Sequence, residues 1–198
     1  MSDGKRKYEK KRRAEAEAQT RLRITESAVE LHGSLGPART SMSAVAEHAG
    51  VRRSTLYRHF PDERALFGAC SAHWAEANPP PDIGRWSTIA DPEDRLDTAL
   101  AELYAFYRQA EGMLDKLLRD APAVPVVDEL MGGFRAFLNA AADILMKGRG
   151  LRGNAAKRTR AAIGHALAFG TWQDLTGAQG LDDEKAVELI SGLVAAPV

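Results

Sequence analysis

Between Arg52 and His59, seven of eight side chains carry a hydrogen-bond donor and none is acidic: Arg52, Arg53, Ser54, Thr55, Tyr57, Arg58 and His59. Such a set suits an acceptor-rich partner. An arginine fork matches paired acceptors such as a phosphate or a guanine edge, and hydroxyls donate to single oxygens. The exception is Leu56, which pairs with Phe60 at i, i+4 and marks the face that must turn inward. Upstream, Thr40 and Ser41 directly precede an apolar-periodic run at Met42, Val45, Ala46 and Ala49. They therefore stand at a helix N-terminus, one of them as its N-cap.

Other chemistries find no matching set. The chain holds no Gly-x-Ser-x-Gly, phosphate loop, His-Glu-x-x-His or Cys-x-x-Cys pattern, so turnover is not expected and no cofactor is predicted. His165 has no histidine partner at i+4 and is not a metal site by spacing. Cys70 is the single cysteine, which excludes an internal disulfide framework and fits a reducing cytoplasm; the expected role is a buried structural thiol. No apolar run reaches the roughly 18–20 residues of a membrane span.

The elements that must position the donors all read as helix. Ile24, Ala28, Leu31 and Leu35 recur at helical spacing until Gly36-Pro37 stops them. The short helix after Thr40 or Ser41 ends at Gly50, and a second runs over about 52–59. Pro61-Asp62 opens a fourth through Leu66, Phe67, Cys70 and Trp74. Two short helices joined by a tight glycine turn describe a helix-turn-helix, whose second helix fits a DNA major groove.

Charge follows the same division. The net charge is zero, yet residues 1–60 hold thirteen Lys/Arg against seven Asp/Glu, and the remainder fourteen against twenty. A basic module facing a polyanion, attached to an acidic body, accounts for that asymmetry. Residues 1–20 bury no face; Lys5, Arg6, Lys7, Lys10, Lys11, Arg12 and Arg13 make them a basic arm, read as flexible and turning helical towards residue 14.

The stretch 22–70 resembles the N-terminal domain of TetR-family regulators. The resemblance rests on Thr40, Ala46, Ala49-Gly50-Val51, Thr55-Leu56-Tyr57, His59-Phe60, Pro61 and Ala65-Leu66, which agree in order, spacing and type. It implies a dimeric transcriptional regulator, expected to be a repressor, that binds a palindromic operator and is released by a small molecule. It also implies phosphate contacts from Thr40, Ser41, Tyr57 and His59, and base-edge contacts from Arg52, Arg53 and Thr55, with Ser54 and Arg58 beside them. One position departs. The family commonly has a lysine three residues after the Phe, where this chain has Glu63. An acid cannot bind phosphate there; Arg64 is the neighbouring substitute, and a helical adaptor that has lost DNA binding is the alternative.

The expected division is an arm at 1–20, a DNA-binding domain with its connecting helix at 21–78, an irregular proline-rich connection at 79–90 and a ligand-binding, dimerising bundle at 91–198. In the bundle, Asp91-Pro92 starts a helix, a separate short helix covers about 112–120, and another spans 125–147. Asn154 is expected to cap a helix running past Trp172, and Asp182 the last one. The resemblance places dimerisation on the helices at about 155–175 and 182–195, where Gly164, Ala168 and Thr171 permit close approach. Tyr104, Tyr107, Met113, Met131, Phe134, Phe137, His165, Phe169 and Trp172 are the candidate lining of a pocket for a mostly apolar effector.

Overall fold

Helical spacing of apolar residues dominates the chain, and the structure is all-α, with no strand among the described residues. It is a computed structural model describing residues 3–195, with side chains from Arg6 onward; the Lys5 side chain of the basic run lies outside the described residues. By packing, the residues up to Ala77 form one unit together with Asp115–Leu130, and Asn78–Leu114 form a second with the residues from Met131 onward. The stretch 115–130, expected within the C-terminal bundle, thus packs with the N-terminal unit.

In the first unit, helix α1 (Asp3–Ser34) carries Ile24 and Ala28 with no exposed surface. It packs on α4 (Glu63–Ala77) through Leu66, Phe67 and Cys70, all buried. Helices α2 (Met42–His48) and α3 (Arg53–His59) complete the core with Val45, Ala46, Leu56 and Phe60. Residues 3–20, read as an arm without a face to bury, are helical as the first turns of α1, and every side chain from Arg6 to Gln19 is exposed. Gly36 ends α1 at φ +94°, a backbone state that glycine alone adopts easily. A Cβ there would also collide with the Arg119 guanidinium and the Asp120 carboxylate. These two residues clamp the turn: Arg119 donates to the Leu35 carbonyl at 3.2 Å, and the Ala38 amide donates to Asp120 at 3.0 Å. The Arg119 guanidinium beside Asp120 holds its carboxyl below the usual range.

A buried polar pair lies inside this unit. His32 stacks flat on Phe67 with ring centroids 4.4 Å apart, and its Nδ1 is 3.5 Å from Cys70 Sγ. Burial pushes the His32 pKa down to about 4 and the Cys70 thiol up to about 12. Cys70 is therefore expected to react with a thiol reagent only after the domain opens. Rapid labelling of the folded protein at neutral pH would contradict that.

The second unit contains the larger part of α6 (Pro92–Asp120) and of α7 (Pro125–Met146), with α5 (Ile83–Trp86), α8 (Gly153–Ala166), α9 (Phe169–Gln173) and α10 (Asp183–Ala195). Four expectations change here. The connection 79–90 is not wholly irregular: Asp82 caps α5, and Trp86, fully buried, donates its indole N–H to Glu102 at 2.8 Å. The predicted separate helix at 112–120 is the end of a continuous α6, because Gly112 interrupts neither the backbone nor the buried row through Leu103, Tyr107, Ala110 and Leu114. Glycine costs a helix only about 1 kcal/mol relative to alanine. Arg152, not Asn154, occupies the N-cap position of α8, without a side-chain cap bond.

The fourth change is a break at Leu167–Ala168 in the helix expected to run past Trp172. Three hydroxyls take the carbonyls that a continued helix would have used. Thr171 donates to His165 at 2.7 Å, Tyr104 to Ala166 at 3.0 Å and Tyr107 to Leu167 at 2.6 Å. After α9 the chain makes a π-turn at Asp174–Ala178 and then Asp182 caps α10, accepting from the Lys185 amide at 2.9 Å. No helix among the described residues is long and apolar enough to cross a membrane.

Candidate nucleic-acid interface

Helix α3 is short because its ends are fixed locally. Gly50 turns the chain at φ +64°, and the Val51 amide reaches back to the Ala46 carbonyl at 2.9 Å, closing the end of α2. Arg52 takes the N-cap position without using its side chain, so its guanidinium stays available. Leu56 and Phe60 have no exposed surface and pin one face of α3 to the core. Ser54 and Arg58 lie on the opposite face, Tyr57 flanks it, and Arg52 and Arg53 emerge at the start of the helix; all five are exposed, while Thr55 is half-buried. Five of the seven donors predicted from sequence are thus exposed together on one short helix and its N-cap.

The remaining predicted contacts differ in availability. Ser41 is the N-cap of α2, and its hydroxyl oxygen accepts from the Ala44 amide at 3.1 Å; the hydroxyl proton is left to donate outward. Thr40 is half-buried with both donors used within the fold: its hydroxyl donates to Gly36 at 2.8 Å and its amide to Pro37 at 3.0 Å. His59 is half-buried, and its Nε2 is enclosed without a partner among the described residues. Burial, with the Arg58 and Arg21 cations nearby, moves its pKa below the ordinary value. The His59 carbonyl accepts from the Arg21 guanidinium at 2.7 Å, and that guanidinium lies over the Phe60 ring, 4.1 Å from its centroid.

The start of α4 is acidic. Asp62 caps it by accepting from the Ala65 amide at 2.8 Å, and Glu63 is exposed in its first turn. Arg64, the neighbouring substitute for the missing lysine, forms a two-pronged ion pair with Glu129, both contacts at 2.5 Å. Its guanidinium therefore reaches a phosphate only if that pair opens. An open groove of about 490 Å³ between Tyr57, Met42 and Val126 is walled by Asp62 and Glu63, which disfavours an anion there.

In the second unit, most of the candidate effector residues gather around one ring. Tyr107 contacts Tyr104, Phe134, Phe169 and Trp172 with centroids 5.3–6.4 Å apart, and Phe134 stacks on Phe137. Met131 is buried, Met113, Phe134 and Phe137 are half-buried, and His165 is exposed, outside the cluster, beside Thr171. Trp172 donates its indole N–H to Asp183 at 2.9 Å, and Arg108 grips the same carboxylate with two bonds of 2.7 and 2.8 Å. The sequence signal for these polar anchors was absent, because each joins residues far apart in the chain.

Comparison with known proteins agrees with this geometry. Residues 24–70 match the sequence model of the family described as bacterial regulatory proteins, tetR family. No curated protein matches. Among solved structures, the chain is similar to a TetR-like transcriptional regulator from Rhodococcus sp. RHA1, at 19% identity and TM-score 0.62, over 88% of this chain and 93% of that one. It is similar to AibR in complex with isovaleryl coenzyme A and operator DNA, at 19% identity and TM-score 0.61, over 90% and 100%. It is also similar to the multidrug binding protein EbrR complexed with imidazole, at 22% identity and TM-score 0.54, over 90% and 96%. At these identities the likeness is one of fold.

Proposed function

From a TetR-type fold whose residues 24–70 carry the TetR-family helix-turn-helix, we propose that the protein is a ligand-responsive transcriptional repressor that binds a palindromic operator as a homodimer. The observation that carries the reading is α3: Leu56 and Phe60 are sealed in the core, and the exposed surface of the helix and its N-cap carries three arginines with no partner among the described residues. Arg52 and Arg53, at the start of the helix, read base edges; Ser54 and Thr55 assist them. Ser41, Tyr57 and Arg58 hold the flanking phosphates. Thr40 and His59 serve by fixing the turns before α2 and after α3.

Two-fold operators require two-fold proteins. The dimer face proposed here is α10 with α8. Leu189 and Leu193, spaced i, i+4, are 45% and 62% exposed, an apolar stripe that a second copy would cover. Gly164 on α8 is exposed with open space where a Cβ would sit. Thr171, expected in that interface, is instead buried with its hydroxyl on His165.

The effector site proposed is the aromatic cluster around Tyr107, entered past the half-buried Phe134 and Phe137. Its rings suit a small, mostly apolar molecule. A ligand there would act on α6, whose far end, Arg119–Asp120, clamps the turn after α1. Release from DNA follows only if the ligand binds the non-DNA state more tightly.

The test is selection of sites from a random duplex library, followed by titration at two salt concentrations. A two-fold symmetric winner with a steep salt dependence is expected. Arg53→Ala is expected to weaken binding to that site by about 1–3 kcal/mol and to relax preference at one position of each half-site. Unchanged affinity and preference would remove Arg53 from the reader set. Absence of any enriched site would favour the adaptor reading, which Glu63 and the Arg64–Glu129 pair support.

A further inference from the structure

The basic N-terminal run is a helix with a register, and that register continues the buried face of the domain. At 100° per residue, Arg6, Lys10, Arg13 and Arg21 fall within a sector of about 80° that also holds Ile24, Ala28 and Leu31. Between Arg6 and Arg21, Glu17 is the one acidic residue in that sector. The row begins at the recognition helix itself, because Arg21 reaches the carbonyl of His59, the last residue of α3, and covers Phe60. From there it runs about 22 Å along α1 to Arg6, at ~1.5 Å rise per residue. Of the other basic residues of the run, Lys11 pairs with Glu15 at 3.8 Å, and Arg12 lies over the Tyr8 ring, 5.9 Å from its centroid. Lys10 and Arg13 have no such partner among the described residues, and no side chain from Arg6 to Gln19 is buried against the protein.

We propose that this face of α1 is a second DNA-contact surface, on which Arg6, Lys10 and Arg13 hold backbone phosphates flanking the site read by α3. The occupant follows from charge complementarity and from continuity with the recognition helix through Arg21. Contact is with phosphates: the row lies beyond the helix that reads the groove, and a line of cations along a rod suits the backbone flanking that site. A row of about 22 Å spans about six to seven base pairs at ~3.4 Å each. The operator footprint therefore extends beyond each recognition half-site without further sequence preference. The inference rests on the DNA-binding reading above.

The experiment compares the full-length protein with Lys10→Ala/Arg13→Ala and Lys11→Ala/Arg12→Ala on the selected operator across a salt series. Alanine preserves helix propensity, so both pairs remove equal charge from an intact helix. The first pair is expected to lower the salt slope by about two per protomer, at ~0.9 per phosphate contact, and to shorten hydroxyl-radical protection at both flanks. The second is expected to leave footprint length unchanged and the slope nearly so. Equal effects from the two pairs, or none from either, would overturn the assigned face. Failure of the unaltered protein to bind any selected duplex would instead overturn the DNA-binding reading, and this inference with it.

Discussion

Arg95→Met is expected to destabilise the second unit by about 3 kcal/mol or more, read as a fall in the denaturant midpoint of unfolding. Arg95 is 5% exposed, and its guanidinium donates to four carbonyls: Ile89 at 2.6 and 2.9 Å, Ala90 at 3.1 Å, Ile144 at 3.1 Å and Lys147 at 2.7 Å. It thereby caps the end of α7 and ties it to the segment that leads into α6. Methionine fills the volume but supplies no donor, so those acceptors lose their partner in a partly dry site. Arg95→Lys is expected to recover only part of the loss, because one ammonium cannot reproduce a planar fork reaching both segments. A loss below about 1 kcal/mol for the methionine variant would mean that water replaces the guanidinium without penalty.

The second large effect concerns acid. His32 is 3% exposed, and burial holds its pKa at about 4 in the folded unit against an ordinary 6.5. The unfolded chain therefore binds a proton more readily than the folded one between those values. Stability from neutral His32 is fully present above about pH 6.5 and is lost as pH falls towards 4, amounting to about 3 kcal/mol at ~1.4 kcal/mol per pKa unit. His32→Gln removes the titration and keeps a polar side chain beside Cys70. Its unfolding stability, followed from pH 8 to pH 4, is expected to fall less than that of the unaltered protein. Parallel curves would assign the acid sensitivity to other groups.

The same histidine shows where reading from sequence stops. His32 is one polar residue in an apolar-periodic helix, and nothing nearby in sequence announces its stacking on Phe67 or its contact with Cys70, 35 and 38 positions later. The candidate site is the opposite case. Leu56 and Phe60 at i, i+4 fix which way α3 turns, so Ser54, Tyr57 and Arg58 are sorted to the outside by helical geometry, and Arg52 and Arg53 are exposed because they open the helix. That sorting, the glycine turn before it and the caps at Ser41, Asp62 and Asp182 depend on contacts within about four residues, and the sequence determined them.

Longer reach decided the rest. Whether Arg64 is free for phosphate depends on Glu129, and whether Thr40 faces outward depends on the Gly36 turn, itself held by Arg119 and Asp120. The helix expected through Trp172 ends at Leu167–Ala168, where hydroxyls from Tyr104 and Tyr107 on another helix take the Ala166 and Leu167 carbonyls. The basic run at 6–13 gave its charge in sequence, while its alignment with Arg21 and the end of α3 came with an unbroken α1. Local order is written by neighbours a turn away, so periodicity and capping reveal it. A side chain's partner 38 to 84 positions distant is chosen by how the helices pack, and only the tertiary structure supplies that choice.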